Sequence, residues 1–320
     1  MEIIIFIIAA FFAINMGAPS FAGSFSTAVG SGALSKKISG LLFVIFALLG
    51  ALLLGKAVAN TLSKGIIPQD LISTKAAFII LTAATLSLFT ANMMHIPQST
   101  SLSTLASICG VGTFFGQVDW SKIRFMSVAW IIASIICYAL VHIATRYVYP
   151  PRKRNFWVYE KILNHQDRLK FFVTATSCYK GFAQGTNNVA NAVGPLLAAG
   201  LIDVKLGLLI MGIFFGLGAF GFTGPMNTSS EKIVPLGLLT ATIINFISGS
   251  LTILASKLGI PFPTVIVYTI SIFAIGNIKD GLDKTIANPV TRKTLFTWII
   301  NPAITFGISF LLSVIFLTKS

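Results

Sequence analysis

Charge is what this sequence has least of. Asp and Glu together number 9 in 320 residues, and all charged residues make up only 10%. A soluble chain of this size needs far more charge to coat its surface, so a soluble globular fold is excluded. Cysteine is scarce as well. Cys109, Cys137 and Cys178 are an odd set, widely spaced and embedded in apolar runs. They suit neither a disulfide framework nor a zinc site and read as small buried hydrophobes. Histidine occurs three times, and no His/Asp or His/Glu spacing supplies a catalytic pair. A membrane-embedded enzyme such as a lipid phosphatase needs a nucleophile with a base, or a metal cluster, and nothing here supplies either.

What is present is apolar: 55% of the residues are hydrophobic. Long stretches run roughly over 2–14, 38–59, 75–94, 125–149, 169–183, 203–225, 235–255 and 294–317. Spanning a bilayer takes about twenty such residues, so the chain reads as an all-α polytopic membrane protein. Shorter Ser/Thr/Gly-rich apolar segments at 20–34, 98–116, 186–201 and 262–277 read as broken or re-entrant helices. Glu2 stands where a signal peptide carries basic residues, and no A-x-A pattern follows, so the first helix is expected to stay in the mature protein.

The 23 basic residues give a formal charge of +14. They cluster in connecting segments, which is the positive-inside pattern of a multi-pass cell-membrane protein and not a nucleic-acid footprint. The longest hydrophilic stretch, 146–170, opens with Pro150-Pro151 and carries seven of them, including Arg146, Lys153 and Lys161. The expected organisation is repeat 1 over 1–149, a basic cytoplasmic linker over 150–168 and repeat 2 over 169–320.

The flanks of that linker match each other. Gly17 pairs with Gly185, Asn60-Thr61-Leu62-Ser63 with Asn227-Thr228-Ser229-Ser230, and His95-Ile96-Pro97 with Gly259-Ile260-Pro261. Arg124 and Trp130-Ile131-Ile132 pair with Arg292 and Trp298-Ile299-Ile300, and all four offsets lie between 164 and 168. An odd number of crossings per half inverts one copy relative to the other. The expected fold is therefore two inverted-topology repeats whose broken or re-entrant helices meet at the membrane midplane.

Four polar segments are candidates for a binding site. They are Gly17–Ser26 with Ser20 and Ser24, Pro97–Ser101, Gly185–Asn191, and Pro261–Thr264. Pro suits a first helical turn, and Ser or Thr beside it can cap that turn. Helix N-termini converging at the midplane can hold an oxyanion with no buried cation. No Lys, Arg, Asp or Glu falls inside the four segments; Lys180 lies just before the third, open to the site or to the interface. Ionised groups at the bilayer centre cost roughly 2.5–3.5 kcal/mol on insertion scales, so their absence points to neutral dipoles. Small polar residues in membrane helices more often serve packing. What favours a site is the pairing in both halves, together with the three amides Asn187, Asn188 and Asn191.

At these residues the chain resembles the inorganic phosphate transporter (PiT) family, whose signature Gly-Ala-Asn-Asp-Val-Ala-Asn-Ala occurs once in each inverted repeat. The second copy here is Gly185-Thr186-Asn187-Asn188-Val189-Ala190-Asn191-Ala192, and a degenerate first copy is Gly17-Ala18-Pro19-Ser20-Phe21-Ala22-Gly23-Ser24. Pro97-Gln98-Ser99-Thr100-Ser101 and Pro261-Phe262-Pro263-Thr264-Val265 are similar to its Pro-Val-Ser-Thr-Thr element. The resemblance covers nearly the whole chain. It implies a secondary transporter working by alternating access, with no cofactor beyond a bound sodium ion, a proton or sodium as coupling ion, and a homodimer in the lipid bilayer. It implies that Ser20, Ser99, Thr100, Ser101, Thr186, Asn187, Asn188 and Thr264 line the substrate site, and that Gly17, Ser24, Gly185 and Asn191 flank the coupling ion.

Both signature Asp positions are neutral here, as Ser20 and Asn188. Phosphate near neutral pH can donate a hydrogen bond to a carboxylate; sulfate only accepts, and a carboxylate repels it. The chain looks like the family's sulfate-permease branch, so the inorganic anion expected is sulfate, with phosphate as the alternative. A passive anion channel is a further alternative that the sequence leaves open.

Overall fold

The computed structural model describes residues 1–94, 98–148, 153, 155–221 and 236–317. His95-Ile96-Pro97, Pro150-Pro151 and Asn227–Ser230 lie outside the described residues. Among those described, all regular structure is helical: α1 (Glu2–Gly30), α2 (Lys36–Lys64), α3 (Thr74–Met93), α4 (Thr100–Phe115), α5 (Trp120–Val148), α6 (Phe156–Leu163), α7 (Gln166–Ala198), α8 (Val204–Gly221), α9 (Leu238–Lys257), α10 (Thr264–Asp280), α11 (Leu282–Ala287) and α12 (Pro289–Phe316). Seven of these are long and apolar enough to cross a membrane: α1, α2, α3, α5, α8, α9 and α12. The short α6 falls within the basic linker stretch. Local chemistry sets several boundaries. Ser35 and Ser73 cap α2 and α3 by accepting from Ile38 N and Ala76 N. Asn288 caps α12 ahead of Pro289, and α4 stops at Gly116, whose φ of 72° suits glycine.

Two expected breaks are absent. The apolar runs at 2–14 and 20–34 are one continuous helix, α1, and those at 169–183 and 186–201 are one helix, α7. Pro19 sits inside α1. It lacks an N–H, so the carbonyl of Asn15, four residues earlier, loses its helical donor. Asn92 from the end of α3 supplies the replacement, its Nδ2 donating to Asn15 O at 3.0 Å. The ladder is repaired from outside, and the helix runs on.

The expected re-entrant segments at 98–116 and 262–277 are present as α4 and α10. Their directions follow from α5, which joins the two faces. At its start, Lys122 shares a cavity with Lys64, Ile67 and Gly116, so α3 is entered and α4 is left on this face. At its other end, His142 and Arg146 share a cavity with Asn277 near the end of α10. The C-termini of α4 and α10 thus point to opposite faces. Their N-termini meet inside, where Ser101 Oγ donates to Phe262 O at 3.0 Å.

The helices of the two halves interlock in matched pairs. α1 packs on α8 as α7 packs on α2, and α4 packs on α12 as α10 packs on α5. The tightest crossings explain the glycines. A methyl group on Gly17 would sit 1.8 Å from Phe215 O, and one on Gly218 2.3 Å from Ile14 O. On the matching crossing, Gly185 would meet Ala47 O at 1.9 Å and Gly50 would meet Phe182 O at 2.1 Å. Each member of the first quartet lies 168 positions from its counterpart in the second. Gly212 and Gly216 likewise admit Leu48 and Val44, as a small-residue packing motif requires.

Gly185→Ala forces two backbones apart, and overpacking of this kind costs about 1–3 kcal/mol. The apparent melting temperature in detergent should fall by several degrees. Gly307→Ala, where an added methyl meets nothing within 4 Å, should leave it unchanged. Equal melting temperatures for the two variants would show that the crossing tolerates a methyl group.

Candidate functional site

The α9–α10 connector leaves helical geometry in the protein interior, so every polar backbone atom in it must find a partner there. Ile260 N donates to Ala255 O at 2.9 Å. Ile260 O accepts from Asn187 Nδ2 at 3.0 Å. Pro261 has no N–H, and its carbonyl accepts from Trp130 Nε1 at 2.8 Å. Phe262 N donates to Asn187 Oδ1 at 2.7 Å, and Phe262 O takes the Ser101 hydroxyl. Phe262 O also accepts from Thr264 N at 2.8 Å, closing a tight turn over Pro263. Asn187 therefore clamps the connector with both ends of its amide. Its remaining donor reaches Ser256 Oγ at 2.9 Å. Thr186 is equally committed, donating to Ala183 O and lying 2.8 Å from Ser256 Oγ. Of these two expected substrate ligands, Asn187 holds the strap and Thr186 ties α7 to the end of α9.

Asn188 faces another way, into a neutral cluster. Its Nδ2 lies 3.0 Å from Ser20 Oγ, 2.8 Å from Gln184 Oε1 and 3.3 Å from Thr264 Oγ1. Ser20, Asn188 and Thr264 come from α1, α7 and α10 and are all buried. Of the positions expected around one site, Ser20, Asn188 and Thr264 come together here, and Gln184 joins them. Gln184 precedes Asn188 by one turn on the same helix face, a spacing that could have flagged it. Asn191 extends the cluster toward α4, with Nδ2 3.3 Å from Ser101 Oγ and 3.1 Å from Asn188 O. Its Oδ1 is buried without a partner.

The other expected residues divide. Ser99 caps α4, accepting from Leu102 N at 3.4 Å, and Thr100 is buried beside it. Ser24 donates to Ser20 O at 2.8 Å. Gly17 and Gly185, expected beside a coupling ion, sit at the helix crossings, where a carbonyl oxygen fills the space of a Cβ. Gln98 ties three helices together: it donates to Ser87 and Ser103 and accepts from Asn301 Nδ2. Asn245 donates to Ser24 O at 3.0 Å and to Ser177 Oγ at 3.3 Å; its burial was not expected, because it stands alone in an apolar helix. Lys180 is fully buried, which excludes snorkelling to the interface, and its Nζ has no hydrogen-bond partner.

Two helix starts point at the cluster. α10 starts at Thr264 with no side-chain cap, and α4, capped by Ser99, starts at Thr100 from the opposite side. Each helix start carries about half a positive charge. Together with the amide and hydroxyl donors they form a field that favours an anion.

Comparison with known proteins follows this geometry. The profile of the phosphate transporter family matches residues 16–309. The sulfate permease CysP of Bacillus subtilis is 34% identical over 99% of this chain and 88% of its own length. A proposed phosphate permease of Thermococcus kodakarensis is 27% identical over 89% of this chain and 90% of its own. A solved structure titled the sodium-dependent phosphate transporter superposes with a TM-score of 0.83 at 22% identity, covering 98% of both chains. That likeness establishes the shared fold.

Asn187→Ala leaves Phe262 N–H and Ile260 C=O unpaired, and each buried orphan costs about 1–3 kcal/mol. Hydrogen exchange at the Phe262 amide should accelerate at least tenfold. Ser99→Ala removes only a cap worth about 0.5–2 kcal/mol and should leave that amide protected. Unchanged protection in Asn187→Ala would mean that the connector is held by other means.

Proposed function

The chain belongs to the phosphate transporter family and is one of its membrane permeases, and from that premise we propose that its cargo is sulfate, moved by alternating access. The carrying observation is the charge balance of the interior. Among the described residues every Asp and Glu is exposed, while the Asn188 cluster offers amides, hydroxyls and two helix N-termini. A fully ionised oxyanion accepts from such groups and has no proton for a carboxylate. The similarity to a sulfate permease along nearly the whole chain supports the same choice.

In this reading Ser20, Asn188, Thr264 and Gln184 take the anion from one side, and Ser99, Thr100 and Ser101 at the start of α4 take it from the other. The hydrogen bonds now made within the cluster are exchanged for bonds to the anion. Residues 1–149 and 169–320 act as inverted repeats. The matched helix crossings and the opposed directions of α4 and α10 support that arrangement. A pseudo-two-fold axis between them lies in the membrane plane. A proton or a sodium ion drives uptake, and the unpaired Asn191 Oδ1 is a buried oxygen such a cation can use. The basic linker 150–168 faces the cytoplasm, and two copies of the chain form the membrane-resident homodimer.

Uptake of labelled sulfate and phosphate into proteoliposomes tests the reading, with and without sodium and a pH gradient. Sulfate should accumulate against its gradient and outcompete phosphate; a preference for phosphate overturns the substrate, and purely downhill flux makes the protein a channel. Asn188→Asp sharpens the test. The cluster tolerates the change, because the Ser20 and Thr264 hydroxyls can donate instead of accept and Gln184 can turn its amide. Sulfate then loses a donor and gains a like charge, a loss of about 1.5–3 kcal/mol or at least tenfold in affinity. Phosphate, which can donate to the new carboxylate, should lose less. An unchanged sulfate-to-phosphate ratio would place Asn188 away from the anion.

A further inference from the structure

Lys180 is the one charged side chain buried among the described residues. It lies on α7, one turn before Gln184 and two turns before Asn188, so the three form a stripe along one side of the helix. Its ammonium carries three donors and makes no hydrogen bond. No described carboxylate is available to neutralise it, because every described Asp and Glu is exposed. An unpaired ammonium in a membrane interior is retained for function far more often than for stability.

Beyond the cluster a polar seam runs between α5 and α10. At its inner end stands Thr264 in the Asn188 cluster. Next comes the Cys137–Ser271 contact at 3.1 Å, and then Asn277 Nδ2 donating to Tyr138 OH at 2.6 Å. The seam opens into a cavity of about 190 Å³ lined by His142, Arg146, Asn277 and Ile278. The Nδ1 of His142 is buried there without a partner. From cluster to cavity the seam holds neutral dipoles and, at the mouth, one guanidinium, with no described carboxylate between them.

We propose that Lys180 is the counter-charge of the transported dianion, holding it beside Gln184. The inference rests on the oxyanion reading above and adds to it a fixed positive charge that the signature segments lack. A fixed charge attracts a dianion twice as strongly as a monoanion of the same shape, and low-dielectric surroundings preserve the difference. The protein therefore selects divalent tetrahedral anions over monovalent ones through this side chain.

Equilibrium binding of labelled sulfate to the purified full-length protein tests this, with displacement by unlabelled sulfate and by perchlorate, a tetrahedral monoanion. Wild type should prefer sulfate. In Lys180→Met the preference for sulfate over perchlorate should fall at least tenfold, and in Lys180→Arg it should stay within threefold of wild type. Removing an unpaired buried charge should leave the protein folded, checked by monodisperse elution and melting temperature. Lys180→Gln gives the same comparison if the Met variant elutes as aggregate. A loss of affinity equal for both anions, or an unchanged preference in both neutral variants, overturns the counter-charge and makes Lys180 structural. Wild-type protein that binds neither sulfate nor phosphate overturns the oxyanion reading itself, independently of Lys180.

Discussion

Backbone that leaves a helix inside a membrane must bring its own hydrogen-bond partners, and one side chain here does most of that for the α9–α10 connector. Asn187 gives its oxygen to Phe262 N–H and its amide hydrogens to Ile260 O and Ser256 Oγ. Trp130 and Ser101 take the carbonyls that remain. Three separated segments are thereby tied to one strap: α7, α5 and the start of α4. With the strap fixed, α10 must begin where it does, with its N-terminus in the interior and Thr264 against Asn188. An amide is the side chain that can donate and accept at once. A carboxylate at position 187 could hold Phe262 N–H but would face the Ile260 carbonyl as a like dipole.

The glycine crossings do the complementary task of setting depth. Gly17 with Gly218, and Gly185 with Gly50, bring α1 onto α8 and α7 onto α2 until carbonyl oxygen replaces side chain. Ser20 follows Gly17 by three residues, and Asn188 follows Gly185 by three. Each crossing therefore places a signature polar residue at one level of the molecule, and the two levels coincide in the 3.0 Å contact between Ser20 and Asn188. The clamp orients the helix start, and the crossings supply the groups it points at.

Much of this was legible in the sequence. The constant offset between halves foretold matched packing, and the Pro/Ser/Thr elements marked the two half-length helices. The segments at Gly17 and Gly185 misled, since glycine and proline among amides read as a broken helix. Pro19 is tolerated because Asn92, 77 positions away from Asn15, takes the orphaned carbonyl. No local pattern announces such a partner. The same limit explains Asn187 and Asn188, adjacent amides with opposite duties. Their roles separate only because successive helical residues project about 100° apart, one toward the connector and one toward α1. Asn245 and Ser256 gave no signal, because each is a lone polar residue in an apolar helix, and only tertiary contact reveals what it holds.

Charge completes the logic. The signature positions carry no ionised group, and the acidic residues described lie at the surface. Neutral dipoles suffice to orient an oxyanion, but a dianion brings two charges into a medium where unbalanced charge costs several kcal/mol. Half-charges from two helix starts offset part of that cost and remain fixed in place. In the proposed reading the rest of the balance comes from a full positive charge beside the cluster. Lys180, buried one turn before Gln184, is the described side chain placed to provide it. In that reading the signature groups stay neutral and orient the anion, while the balancing charge stands one turn away on α7.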